Sequence, residues 1–192
     1  MTEVVLYHHV LGLTDGVRAF ADQLRQAGHT VHTPDMFEGR RFDTIEEGVA
    51  FAREQGFGEL AGRGVAAAEE VGPGAVYAGF SFGVIAAQQV AQTRPGVGGA
   101  LLMYSCIPVS EFGGAWPEGV PVQVHAKEDD PEFAEDRAAA EELLASTTDA
   151  ELFLYPGKEH LFADSSVPDQ YDPAAAGLLL ERVQALLDAA YY

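Results

Sequence analysis

Cysteine is nearly absent: Cys106 is the single thiol in 192 residues. That excludes an intrachain disulfide and a cysteine zinc cage. Basic residues are scarce as well, eleven Lys and Arg against thirty Asp and Glu, for a formal net charge of −19. A field of that sign repels polyanions, so neither nucleic-acid binding nor docking on anionic lipid is expected. It also works against strongly anionic substrates. No run approaches the roughly 20 apolar residues that span a bilayer. The opening Met1-Thr2-Glu3-Val4-Val5 has no basic n-region of the kind that starts a signal peptide. These absences predict a cytoplasmic protein without membrane association. No repeat, low-complexity linker or composition shift divides the chain, so residues 1–192 are expected to form one domain. With 47% hydrophobic residues, 21 Gly and 10 Pro, the composition is that of a globular protein.

Short β-rich runs alternate with longer helical patterns. Strands are expected at Glu3–Tyr7, Thr30–Thr33, Ala75–Gly79, Gly99–Tyr104, Val120–His125 and Glu151–Tyr155. Several are continuous apolar runs, which suits a parallel sheet covered on both faces. Helices are expected near Asp15–Ala27, Thr44–Glu70, Phe82–Gln92, Pro131–Ala145 and Pro173–Ala189, with Asp15 and Thr44 as N-caps and Gly28 as a stop. Four glycines, from Gly56 to Gly64, should break the second helix near its middle. The order predicts a doubly wound, mostly parallel α/β fold, in which sites form at the carboxyl ends of strands.

At such an end lies Gly79-Phe80-Ser81-Phe82-Gly83, a G-x-S-x-G pentapeptide between a strand pattern and a helical one. That setting is the one a nucleophile elbow needs: a strained turn presents Ser81, and the following helix N-terminus aims amides at a developing oxyanion. A serine also needs a base to take its proton. His160, in the turn after the last strand, fits; a loop histidine without such company is an ordinary solvated side chain. Glu128, Asp129 and Asp130 follow the strand before it, and one of them is the acid expected to orient the imidazole. The order Ser, acid, His is that of α/β-hydrolases. An amide from the loop after the first strand can join that of Phe82 in an oxyanion hole. His8 and His9 are neighbours on a strand end, so their side chains diverge and no shared metal is expected. Cys106 lacks a base in sequence and reads as inert. Trp116 and Phe112 form an apolar wall, of core or of pocket.

With these residues in hand, the chain resembles the dienelactone hydrolase family, a compact branch of the α/β-hydrolases. The resemblance runs from Val4–Thr14 and Ala27–Arg40 through Gly79–Gly83 and the segment ending at Pro131 to Tyr155–Ser166. It is strongest to small actinobacterial-type members with a serine nucleophile. It implies Ser81 as nucleophile, His160 as base and Asp130 as acid, with Asp129 as runner-up. The amides of Val10 and Phe82 become the oxyanion donors, and His9, Leu11 and Asp164 fall at substrate-binding positions. No cofactor and no metal are implied. Where the best-known members carry Cys, this chain has Ser81. Where they carry a Glu before the oxyanion residue, it has His9. Where they carry a carboxylate-binding Arg, it has Asp164, which would repel an anionic lactone.

The function expected is hydrolysis of a small ester, lactone or thioester through an acyl-enzyme. About fifteen residues from Ser105 to Gly119 leave no room for a cap domain. The alternatives are a biosynthetic enzyme on the same scaffold, performing cyclisation or carbon–carbon cleavage, and a non-catalytic binding protein.

Overall fold

The computed structural model describes residues 1–190. Six strands form one wholly parallel sheet: β1 Glu3–Tyr7, β2 Thr30–His32, β3 Val76–Phe80, β4 Gly99–Met103, β5 Val122–Lys127 and β6 Ala150–Tyr155, in the order β2-β1-β3-β4-β5-β6. Helices α1 Asp15–Gln26, α2 Ile45–Gln55, α3 Phe57–Ala67, α4 Gly83–Thr93, α5 Pro131–Ser146 and α6 Pro173–Ala189 cover both faces. The alternation along β1 decides the layering. Val4 and Leu6 pack with Val17, Phe20 and Leu24 of α1 and Leu179 and Val183 of α6. Val5 and Tyr7 face the opposite core, with Leu60, Val84 and Phe133. Strands buried on both faces explain the continuous apolar runs. This is an α/β-hydrolase fold, and among the described residues no cap covers it.

Local chemistry sets most boundaries. Thr14, not Asp15, is the N-cap of α1: its hydroxyl accepts the Val17 amide, and Asp15 becomes the first helical residue. Thr44 caps α2 as expected. The long second helix breaks at Gly56, whose φ of 91° a side chain would resist, so α2 and α3 are separate. β5 begins two residues later than expected and runs to Lys127, because its register with β6 pairs Val122 with Ala150 and Lys127 with Tyr155. In that position Pro121, which has no amide to donate, lies before the ladder.

Every strand points the same way, so the loops after β1, β3, β4, β5 and β6 share one rim. The strand order reverses between β1 and β3, where Tyr7 is paired with Gly79. That switch point is where an open α/β sheet leaves a crevice.

Candidate active site

Ser81 leaves β3 with φ 49°, a left-handed conformation unfavourable for a residue with a side chain. The outer glycines of the pentapeptide make that turn possible. A Cβ on Gly79 would lie 2.4 Å from the Gly83 carbonyl, and one on Gly83 would lie 2.5 Å from the Tyr7 oxygen. The elbow therefore folds onto itself and onto β1, and the Ser81 amide donates to Met103 O at 2.7 Å.

His160 descends from the loop after β6 and is 7% exposed. Its Nε2 is 2.8 Å from Ser81 Oγ, and its Nδ1 is 2.6 Å from Asp130 Oδ2. Asp130 is 1% exposed, and its second oxygen accepts the Glu132 amide at 2.9 Å as the N-cap of α5. A carboxylate against Nδ1 makes that nitrogen the proton donor, which leaves the Nε2 lone pair toward the serine hydroxyl. The exposed Asp129 contributes a backbone amide to Gly157 O at 3.0 Å and no carboxylate to the imidazole.

The loop after β1 is pressed beside the elbow by two glycines. Gly48 of α2 admits the Val10 carbonyl to 2.1 Å of where a Cβ would stand, and Gly12, at φ 88°, admits Arg40 O to 2.3 Å. Among the described residues, the amides of Val10 and Phe82 donate to no protein acceptor. An oxyanion requires unpaired amides near the nucleophile.

The residues expected to touch substrate lie elsewhere. Asp164 is 3% exposed and His9 fully buried, and Leu11 is buried as well. His9 Nε2 donates to Asp164 Oδ2 at 2.7 Å, and the Thr14 hydroxyl donates to the same oxygen at 2.6 Å. Oδ1 accepts the Ser166 hydroxyl and amide, and the Leu11 amide donates to His9 Nδ1 at 3.2 Å. Burial alone would raise the Asp164 pKa, but the donors from His9, Ser166 and Thr14 outweigh it and bring it to about 2. Burial lowers that of His9. The pair is thus a carboxylate and a neutral imidazole, with every lone pair used. It ties the β1 loop to the segment after His160. Sequence spacing carried no sign of this, because the two partners are 155 residues apart.

The surface beside Ser81 is an open cleft of about 420 Å³, lined by Ser81, Tyr104, Ser105 and His160 on one hand and by Pro131, Glu132, Glu135 and Asp136 of α5 on the other. Tyr104 follows β4 at φ 75°, and its hydroxyl accepts the Ala163 amide at 2.9 Å, which braces the segment behind His160. The Ser105 hydroxyl donates to Asp136 at 2.5 Å, and burial raises the Asp136 pKa. Sequence reasoning missed Tyr104, Ser105, Glu132, Glu135 and Asp136. Their signal was position alone: the end of β4 and the first turns of α5. A hollow of about 470 Å³ at the other end of the sheet, lined by Gly98, Gln123 and Glu151 among others, holds no Ser, Cys or His.

His8 donates from Nδ1 to His9 O at 2.8 Å and accepts the Met36 amide on Nε2 at 3.0 Å, so it has no lone pair for a metal. Among the described residues no cluster suited to a metal ion occurs. Cys106 is buried, and burial pushes its thiol up to about 12. Trp116 belongs to the core and donates to Val120 O. Arg41 pairs with Asp15, and Arg40 lies over the Phe51 ring. No helix is long and apolar enough to cross a membrane among the described residues.

Comparison with solved structures agrees with this architecture. A dienelactone hydrolase-like promiscuous phosphotriesterase from metagenomic libraries superposes with a TM-score of 0.81 at 18% identity, over 99% of this chain and 87% of the other. A dienelactone hydrolase from Anabaena variabilis gives a TM-score of 0.67 at 21% identity, over 96% and 85%. The esterase PE8 gives 0.68 at 16%, over 97% and 90%. No curated protein matches the sequence significantly. The profile described as Dienelactone hydrolase family matches residues 1–191, nearly the full length, and the chain belongs to that family.

Proposed function

We propose that the protein is a serine hydrolase that cleaves a small ester, lactone or thioester by way of an acyl-enzyme on Ser81. The observation that carries this reading is the continuous chain from Ser81 Oγ through His160 to the buried Asp130, at 2.8 and 2.6 Å. Ser81 Oγ attacks the carbonyl carbon while its proton passes to His160 Nε2. The carbonyl electrons move onto oxygen, where the Val10 and Phe82 amides meet the new charge. Asp130 holds the Nδ1–H tautomer and stabilises the imidazolium. Collapse expels the alkoxide or thiolate, which takes the proton from His160. Water, deprotonated by the same nitrogen, then frees the acid. The open cleft, without a cap, suits a small acyl group. The carboxylates on its wall disfavour an anionic one. We assign the protein to the cytoplasm, where a lone buried thiol needs no oxidised partner.

Fluorophosphonate labelling with peptide mapping tests this directly, together with kcat on p-nitrophenyl acetate. Ser81→Ala is expected to abolish labelling and lower kcat by roughly 10³-fold or more, with stability within about 1 kcal/mol. A variant keeping a tenth of the turnover would refute the assignment.

A further inference from the structure

Lys127, the last residue of β5, is 1% exposed, an unusual place for an ammonium. Its Nζ donates to Pro156 O at 2.7 Å and to the Asp172 carboxylate, and lies 3.7 Å from Glu159 Oε2. It also sits 5.3 Å from the centre of the Phe162 ring. Gly157, at φ 112°, arches over it: a Cβ there would stand 3.1 Å from Nζ. The three acceptors come from the loop that carries His160 and from the N-cap of α6, while Lys127 itself stands three residues before Asp130. One buried cation thus joins the two segments whose side chains must meet at Nδ1.

We propose that Lys127 is a positioning residue, whose ammonium holds the Pro156–Glu159 turn so that His160 stays between Ser81 and Asp130. Burying a charge is costly unless it is paired, and an apolar side chain would fill the same space without that cost. The ammonium adds what an apolar group lacks: directional donors, one used on Pro156 O of the turn and one on the Asp172 carboxylate, with the Glu159 carboxylate of the turn as a nearby counter-charge. That turn has no ladder of its own beyond the Glu128 amide on Tyr155 O and the Asp129 amide on Gly157 O. Without the cation, Pro156 O loses its donor and Glu159 its counter-charge, immediately before His160. A drift of about 1 Å in a proton-transfer group can cost on the order of 10²-fold in rate while leaving binding intact.

This inference rests on the hydrolase reading, and two readouts separate the fates of the two claims. The first is steady-state kinetics of Lys127→Met and Lys127→Ala on p-nitrophenyl acetate, well below the unfolding temperature. The expected result is a fall in kcat of about ten- to a hundredfold with KM within about twofold. Added ethylammonium, but not ethanol, should restore part of the kcat of Lys127→Ala. A kcat within twofold of wild type would overturn the proposal, as would equal rescue by ethanol. The second is the proton NMR signal of His160 Nδ1–H, shifted far downfield by Asp130, which needs no turnover. In Lys127→Met it should broaden or vanish through exchange. If no ester is hydrolysed by the wild type, the hydrolase reading falls and this signal alone decides. An unchanged signal in a folded Lys127→Met then sinks the positioning role.

Discussion

Asp130 divides its carboxylate between two duties, Oδ2 toward His160 and Oδ1 toward the first turn of α5. The division allows a clean test, because Asn is as good an N-cap as Asp. Asp130→Asn keeps the cap but presents an amide to Nδ1, favouring the wrong imidazole tautomer. The expected loss is about 10³- to 10⁴-fold in kcat with the unfolding midpoint nearly unchanged. Asp129→Asn, on an exposed side chain, should stay within about twofold of wild type. Steady-state kinetics of the two variants settles the matter, and the reverse ranking would move the acid one residue back. Spacing alone did not separate these neighbours, and only the family resemblance favoured Asp130. Their chemistry is the same, and the choice belongs to the last residue before Pro131 turning inward.

At the scale of elements, the loops after β1 and β6 are joined by the buried His9–Asp164–Thr14 cluster. Removing its carboxylate leaves the His9 N–H and the Thr14 hydroxyl without acceptors in a space closed to water. Asp164→Ala should therefore lower stability by roughly 2–4 kcal/mol, measured by urea denaturation. Its ratio of kcat/KM for charged and neutral esters should barely move. A residue that met substrate would do the opposite, changing selectivity at constant stability. The comparison therefore separates a brace from a binding group. The same cluster gives Asp164 its partners inside the protein. A position four residues beyond the histidine can face a ligand or face inward, and the partner at His9 decides which.

Charge acts on the molecule as a whole. Glu132, Glu135 and Asp136 line the cleft, and among the described residues no Lys or Arg lines it or pairs with them. With the net charge of −19, that wall is expected to make methyl pentanoate a better substrate than monomethyl glutarate. The expected advantage is about tenfold to a hundredfold in kcat/KM. Glu135→Gln should narrow it most at low ionic strength, where screening is weak. Preference for the glutarate ester by the wild type would refute this and point to a cation folding over the cleft.

The buried histidines give the fold an acid limit. Burial holds His125 neutral down to about 3, with Arg182 adding to the effect, and burial also lowers His9. An unfolded chain takes up these protons near pH 6.5, so acid favours unfolding over the window from 6.5 to about 3. Asp164 and Asp35, both held near 2, add a further loss as pH falls from 3.8 to about 2. The His125 share alone comes to roughly 3 kcal/mol between pH 7 and 4. Urea unfolding at pH 7, 5.5 and 4 measures it, and a flat profile would contradict neutral buried imidazoles.

Periodicity and punctuation were enough for the parallel α/β class, the break at Gly56 and the setting of Ser81, because each is a local property of the chain. Apolar runs mark strands buried on both faces, and glycine marks the turns that no side chain tolerates. His160 was legible too, since chain order and a strand end are readable without coordinates. What the tertiary structure decided were the encounters between distant segments. It turned Asp130 and not Asp129 inward, joined His9 to Asp164, set Lys127 beneath Gly157 and brought Asp136 to the cleft wall. Those meetings depend on the order β2-β1-β3-β4-β5-β6 and on how each loop packs over its neighbour. Their partners are tens to more than a hundred residues apart, and no window of sequence contains both.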